Sequence, residues 1–565
     1  MTRLINSFFT SNKTALILFL VFGCACGMIC RYEFAYWDAL NYHYYNPWAF
    51  LNNRLNVDVV PAAANTFFSP FIDFPFYFLV NALNGHPLTF CAVMAVPYGL
   101  MLFFSYKIST LFFPADTEQG RIRTGLTLLL CICSETVFFQ LCSSSNEHLM
   151  AFLVLAALYP LLKEISAQRF HTGVFVLSGF ILGAAAGLKL THAPYAAATG
   201  ITLIVFYKRL NRPFLNIGLF ALAGTAGFLI AYGYWGWVLW KNFQNPFFPF
   251  FNNVFPSPYW EGSGYRDMRY FNMPWTTVLL YPFFSFWNIG LRVPLLQKIT
   301  LSNLRFPVGA TIFLCVSAGI IKNRKKDRTE NKDFLLHILM FWMAAVYVLW
   351  LIYYRVPRYL IPFEQTLSIV LILFIFGKQK ISPESKRFYA FLFFIAFMVA
   401  SVSQNYTHYL EMPVDRPLIS VRPEPLPDDT LLILNNLPSA VFIPFLAPNP
   451  TVRAVIDPIQ TKEYNGSNFY SRGRFAEKRK ETIRKYLVKK RPVATLSFLY
   501  PVSGLCSRLE AFKTPYFLCW DDSFFFFKHR RPINIWLDKT GFLSQNKEKL
   551  KKGKNHAGAS RTVAR

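Results

Sequence analysis

Residues Arg31–Pro75 read RYEFAYWDALNYHYYNPWAFLNNRLNVDVVPAAANTFFSPFIDFP, and the reading of this stretch decides the reading of the whole chain. It follows the first membrane-length apolar run, Thr14–Cys30, and precedes the second. Glu33, Asp38, His43, Arg54, Asp58 and Asp73 stand in it among many aromatic residues and no lysine. It is too polar to cross a bilayer and too aromatic for an ordinary solvated loop. Amphipathic aromatic rings sit at the lipid–water boundary, so the stretch is expected to lie on a membrane surface, held by the helices around it.

Composition fixes the class. Hydrophobic residues make up 54% of the 565 residues, aromatics 18% and charged residues only 16%, with 61 phenylalanines. Such a chain needs lipid as part of its solvent. The net charge of +28 would point to nucleic acid in a soluble protein. Here the cations cluster beside apolar runs, so membrane topology explains them and no nucleic-acid partner is expected. Most of the ten cysteines fall in apolar runs, where they read as small buried hydrophobes. Only Cys506 and Cys519 lie in a polar region, where they could pair in an oxidising compartment.

Eleven runs approach the ~20 residues that a spanning helix needs. They are Thr14–Cys30, Leu88–Tyr106, Gly125–Leu141, Leu149–Leu162, Gly173–Leu188, Ala193–Tyr207, Phe214–Trp240, Phe306–Ile321, Phe334–Tyr354, Leu360–Phe376 and Phe388–Val402. The basic N-terminal segment before them shows no small-x-small cleavage site, so the first run is expected to stay as a helix. The strongly basic short loops, such as Lys208-Arg209 with Arg212, Lys322–Lys332 and Lys378–Arg387, all fall on one side if the N-terminus is cytoplasmic. The outer side then holds Arg31–Pro87, Ser143–His148, Lys189–Ala193, Lys241–Trp275 and Tyr353–Tyr359.

The expected fold is a polytopic α-helical membrane protein of about 11 transmembrane helices with a C-terminal extracytoplasmic α/β domain. Residues 1–404 form the membrane module, 405–540 the α/β domain and 541–565 a basic disordered tail. Within the domain, DDTLLILNN reads as a strand between turn residues, Arg474–Lys490 as a charged helix and ATLSFLY as another strand. The expected setting is a bacterial inner membrane, with the N-terminus cytoplasmic and the C-terminal domain periplasmic.

Among the groups that carry chemistry, Asp38 comes first. A carboxylate at the end of a span loses hydration unless something uses or pairs with it. Asp38 could take a proton from a hydroxyl, hold a divalent cation such as magnesium or manganese, or cap the helix that starts at Ala39. Glu33 is expected to pair with Arg31. Asp58 and Asp73, each close before a proline, suit turns or caps. His43 beside tyrosines reads as a second acid–base group, a metal ligand or a hydrogen-bonded packing residue.

On the other outer turns stand Glu147 with His148 in CSSSNEHLM, Lys189 with His192 in GAAAGLKLTHAPY, and Arg355 with Arg358 in YYRVPRYLIP. Asn146 or a serine is expected to cap the helix after the first of these turns. Lys189 is expensive unless it meets an anion or snorkels to the interface. Two guanidinium groups at the lipid–water boundary suit a phosphate or pyrophosphate. Arg266 and Arg269 flank Asp267 in RDMR and could bind ligand or fix an irregular lid.

The strings WDALNYHYYNPWAFL, GAAAGLKLTHAPY, NPFFPFFN, RDMRY and YRVPRYLIP resemble, as a set, those of the GT-C class of integral-membrane glycosyltransferases over the first ~400 residues. That resemblance implies a polyprenyl-phosphate sugar donor within the membrane lipid. The acceptor would be a hydroxyl of a glycan, lipid or protein. It assigns Asp38 as the catalytic base of a single, inverting displacement. By position and charge it makes Lys189, Arg355 and Arg358 the donor-phosphate binders, with His43, Arg266, Arg269 and Glu147 lining the substrate. The two rival readings are a transporter or flippase of a lipid-linked or anionic substrate and a non-catalytic membrane scaffold. The first would want broken helices at the midplane and an internal repeat. The second leaves the outer cations without a purpose.

Overall fold

The computed structural model describes, with short gaps, residues 8–283, 305–312, 331–406, 418–456 and 473–496. The chain divides into two compact units. The first comprises Met1–Tyr36, Ser69–Asn242 and Arg266–Leu418. Among its described residues, six helices are long and apolar enough to cross a membrane: Asn12–Cys30, Pro87–Phe112, Glu147–Ala167, Pro213–Phe243, Phe334–Tyr353 and Pro357–Phe376. Thr172–Leu188 and Leu190–Val205 are apolar but shorter. The protein is thus a polytopic helical membrane protein, with six of the eleven expected runs at spanning length among the described residues. Only the start of the Phe306–Ile321 run falls within them.

The run Gly125–Leu141 departs from expectation for a physical reason. Its helix, Glu118–Ile132, stops at Cys133. The hydroxyl of Ser134 donates to Glu364 Oε2 at 2.6 Å, and the chain restarts as the short helix Glu135–Phe138. Glu364 also takes Arg305 Nη2 at 2.6 Å, with both side chains fully buried. Arg305 donates in addition to the Leu130 carbonyl at 3.0 Å, and Gln365 accepts from the Ser105 hydroxyl at 3.0 Å. Charge buried among apolar helices needs such partners, and here they decide where a helix ends.

Close helix approach comes from small residues. A Cβ on Gly183, in helix Thr172–Leu188, would stand 1.9 Å from the Gly224 carbonyl oxygen of helix Pro213–Phe243. On that second helix Leu222, Ile230 and Trp237 are exposed, which is the face expected of a helix against lipid tails.

The second unit comprises Trp37–Phe68, Phe243–Tyr265 and Ile419–Arg565. Three short strands, β1 (Leu431–Leu434), β2 (Arg453–Ile456) and β3 (Val493–Leu496), form a parallel sheet in the order β2-β1-β3. Leu431 lies opposite both Arg453 and Val493. Every residue of β1, LLIL, is buried, as a central parallel strand covered on both faces requires. DDTLLILNN carries β1, and ATLSFLY begins within β3. The strand β2 lies between the turn signals APNPT and DP, but its four residues are too few for an alternation to show. Helix Gly473–Val488 buries Phe475, Ala476, Ile483 and Tyr486 and exposes Arg474, Lys480, Arg484 and Lys485. Phe475 joins Phe67, Phe243, Phe248 and Tyr259 in one aromatic cluster, with ring centroids 5.0–6.1 Å from its own. Trp37–Phe68, the Phe243–Tyr265 segment and the C-terminal part of the chain therefore share a core.

Candidate functional site

Asp38 belongs to the second unit. It is buried and immediately precedes a five-residue π-helix, Ala39–His43. Its side chain makes no capping hydrogen bond to that helix, so the structural role considered for it, capping, is not the one it fills. Single π-helical turns recur at functional sites because the extra residue per turn re-aims side chains. Two amides pin the turn from outside. Asn41 Nδ2 donates to the Ala62 carbonyl at 3.3 Å, and Asn46 Nδ2 to that of Asn65 at 2.9 Å. His43 is buried, its ring 4.1 Å from that of Tyr42.

Two further carboxylates of the opening stretch, Asp58 and Asp73, have side-chain partners. Asp58 forms a two-pronged ion pair with Arg54, at 2.6 Å and 3.0 Å. Asp73 Oδ1, in the first unit, accepts from Asn146 Nδ2 at 3.1 Å. Neither caps a helix in the way its proline context suggested. Asn146 adopts a left-handed backbone (φ 60°) and spends its amide on Asp73 and the Ile72 and Ser144 carbonyls, with no capping bond to the helix that follows.

Within the first unit, Glu147 gathers the outer cations. Its side chain is fully buried, and Oε1 accepts from Lys189 Nζ at 2.5 Å, with Arg358 Nε 3.4 Å away. Lys189 also donates to the Ser145 carbonyl at 2.7 Å. Glu147 Oε2 faces His192 Nε2 at 3.9 Å. Tyr359 lies under both cations, its centroid 5.4 Å from Lys189 Nζ and 5.5 Å from Arg358 Cζ. Lys189 therefore does not snorkel; it meets an anion of its own chain. The small residues of GAAAGLKLTHAPY let helix Thr172–Leu188 end close enough for this.

Arg355 stands apart from that cluster. It occupies the turn between helices Phe334–Tyr353 and Pro357–Phe376 in a left-handed backbone (φ 57°). Its Cζ lies 4.5 Å from the Phe271 centroid and 4.9 Å from that of Trp275. Arg266 Cζ lies 4.7 Å from the same Phe271 ring. Burial, and secondarily the charge of Arg266, pull the Arg355 pKa below its ordinary value. Among the described residues neither guanidinium pairs with a carboxylate. Two like charges thus share one aromatic ring, an arrangement whose chemistry suits an anion. Phe271 and Trp275 were not singled out in the sequence; their spacing from Arg266 in RDMRYFNMPW was the signal. Arg269, Glu33, Arg31, Cys506 and Cys519 lie outside the described residues.

A divalent cation does not fit what is present. Among the described residues no group of three or more His, Cys, Asp or Glu side chains could hold a metal. The nearest approach, Glu147 with His192, has a lysine and an arginine on its carboxylate.

No protein-family profile matches the sequence, and no curated protein does. Among solved structures, the chain is similar to ArnT from Cupriavidus metallidurans bound to undecaprenyl phosphate, at 13% identity and a TM-score of 0.48, over 88% of this chain and 94% of that one. It is similar to the same protein in the apo state at 12% identity and a TM-score of 0.49, over 89% and 95%. It is also similar to an Archaeoglobus fulgidus oligosaccharyltransferase complexed with zinc and sulfate, at 14% identity and a TM-score of 0.42, over 78% and 62%. Each TM-score lies below 0.5, and the functional reading rests on the side chains of this chain.

Proposed function

We propose that this protein transfers a sugar from a polyprenyl-phosphate donor to a hydroxyl of a glycan, lipid or protein at the outer face of the cytoplasmic membrane. The observation that carries this reading is the Arg266–Arg355 pair on Phe271, two guanidinium groups with no carboxylate partner among the described residues, Arg355 from the turn between two spans and Arg266 from the segment after helix Pro213–Phe243. An amphiphile with an anionic head and an apolar tail satisfies both the charge and the setting. In the reaction, Asp38 takes the proton of the acceptor hydroxyl as its oxygen attacks the anomeric carbon. The bond from that carbon to the phosphate oxygen breaks on the opposite side, so the configuration inverts. Arg266 and Arg355 take up the charge of the departing polyprenyl phosphate. Lys189 and Arg358, set by Glu147, line the substrate with His43 and Arg269. The outer location of residues 405–540 and a cytoplasmic N-terminus belong to the same proposal.

The test is Asp38→Asn in membranes supplied with a labelled polyprenyl-phosphate sugar. General-base removal is expected to cut transfer by about 10²–10⁴-fold with the protein still folded. Transfer at the wild-type rate would remove Asp38 from the mechanism. Donor that stays intact yet crosses the bilayer would favour a transporter.

A further inference from the structure

We infer that residues 450–455 of the C-terminal part of the chain are a clamp that positions the Asp38 segment for the reaction, with Arg54 and Asp58 as its positioning residues; this rests on the sugar-transfer reading above.

All of the contacts lie within the second unit. Arg54 is fully buried and grips Asp58 with Nη2 and Nε. The same guanidinium donates outward to two backbone carbonyls, that of Pro450 at 3.3 Å from Nη1 and that of Val452 from Nη2. Asp58 completes the join from its side. Its Oδ1 accepts from Ala454 N at 2.8 Å, and its Oδ2 from the Tyr45 hydroxyl at 2.8 Å. Val59 N then donates to the Ala454 carbonyl at 2.8 Å, and Val59 pairs with Val455 as one parallel bridge on the edge of β2. Each Asp58 oxygen thus has two donors, one from the Arg54 side chain and one from elsewhere. Burial alone would lower the Arg54 pKa, but the charge and hydrogen bond of Asp58 outweigh it and the net shift is upward.

A buried ion pair is weak evidence for stability, since a well-packed apolar pair often serves as well. Its geometry is what stands out. The pair is spent on fixing one backbone against another through backbone atoms, which an apolar pair cannot do. Tyr45 carries the constraint onward. It opens the helix Tyr45–Leu51, directly after the π-turn that follows Asp38. That π-turn packs against Ala440–Phe442, and Tyr44 stacks on Phe445 at 5.7 Å and 7°. Within the second unit, the Asp38 segment therefore takes its place from the C-terminal part of the chain. A catalytic base must be held within about half an ångström of its productive position.

The test joins a cross-link to kinetics in the full chain. In Val59→Cys/Val455→Cys the two thiols replace a bridged pair, whose neighbouring strands sit ~4.8 Å apart, within disulfide range. A disulfide should form whatever the protein transfers. Adding Asp58→Asn to the reduced protein should lower kcat by about tenfold or more with the donor KM unchanged. Oxidation should restore most of the loss, and reduction should remove it again. A role in folding alone would not give a kcat that follows the redox state of one distant disulfide. Failure of the disulfide to form would overturn the clamp. So would full kcat in reduced Asp58→Asn or in Arg54→Met, or a loss that oxidation does not rescue. A wild-type protein that transfers no sugar from the donor would overturn the sugar-transfer reading, and the positioning role with it, whether or not the disulfide forms.

Discussion

Lys189, Arg355 and Arg358 carry the same charge on turns between helices, yet their surroundings set them different tasks. Lys189 and Arg358 share the Glu147 carboxylate; Arg355 shares an aromatic ring with another arginine. Arg355→Ala is therefore expected to raise the donor KM by about 10–100-fold, the worth of a hydrogen bond to a charged group, and to leave thermal stability in place. Arg358→Ala strips a cation from a buried carboxylate and should chiefly lower the unfolding temperature. Michaelis kinetics and thermal unfolding in detergent, run on both variants, check the contrast; equal KM effects would mean that the two arginines act as one site. The sequence offered all three cations, because a charge beside an apolar run is costly and so conspicuous. It could not sort them. Which cation meets Glu147 depends on how closely helices Thr172–Leu188 and Glu147–Ala167 pack, and that is a tertiary outcome.

Among the elements, two devices control spacing. One is the π-turn Ala39–His43, which no periodicity in NYHYY announced, since a single wide turn leaves little trace in a pattern averaged over several. The other is the glycine contact between helices Thr172–Leu188 and Pro213–Phe243. Gly183→Ala would drive a methyl into the Gly224 carbonyl and should cost about 1–3 kcal/mol as an overpacking change. Gly218→Ala, on the second of those helices, meets no atom within 4 Å and should gain up to about 1 kcal/mol from helix propensity. Unfolding of both variants measures the difference, and comparable effects would dismiss the close-approach account. Apolar length made the long helices legible, as with Phe334–Tyr353. It failed at Gly125–Leu141, where the polar Ser134, bonded to Glu364 from a distant helix, ended an otherwise apolar segment. An acid in the run Leu360–Phe376 was the available clue that something must come to meet it.

For the whole molecule, charge alternation along the chain makes a single topological statement. If the N-terminus is cytoplasmic, Asn211→Cys, exposed before helix Pro213–Phe243, should resist a membrane-impermeant maleimide in intact cells. Asn253→Cys, exposed in the segment after that helix, should react. The reverse pattern would turn the protein over and move Asp38 to the cytoplasm. The sequence could place segments on a side of the membrane but not join them, because the second unit gathers three stretches that lie far apart in the chain. That separation also has a consequence in time. Arg54 and the Pro450 carbonyl it reaches are 396 residues apart. At synthesis rates of ~5–20 residues per second, the opening stretch waits about 20–80 s for its clamp to be made. Arg54 and Asp58 are only four residues apart, so they can neutralise each other during that interval, before any partner exists. The ion pair forms early and is used late, which lets a polar latch emerge first from the ribosome without leaving a bare charge against the membrane.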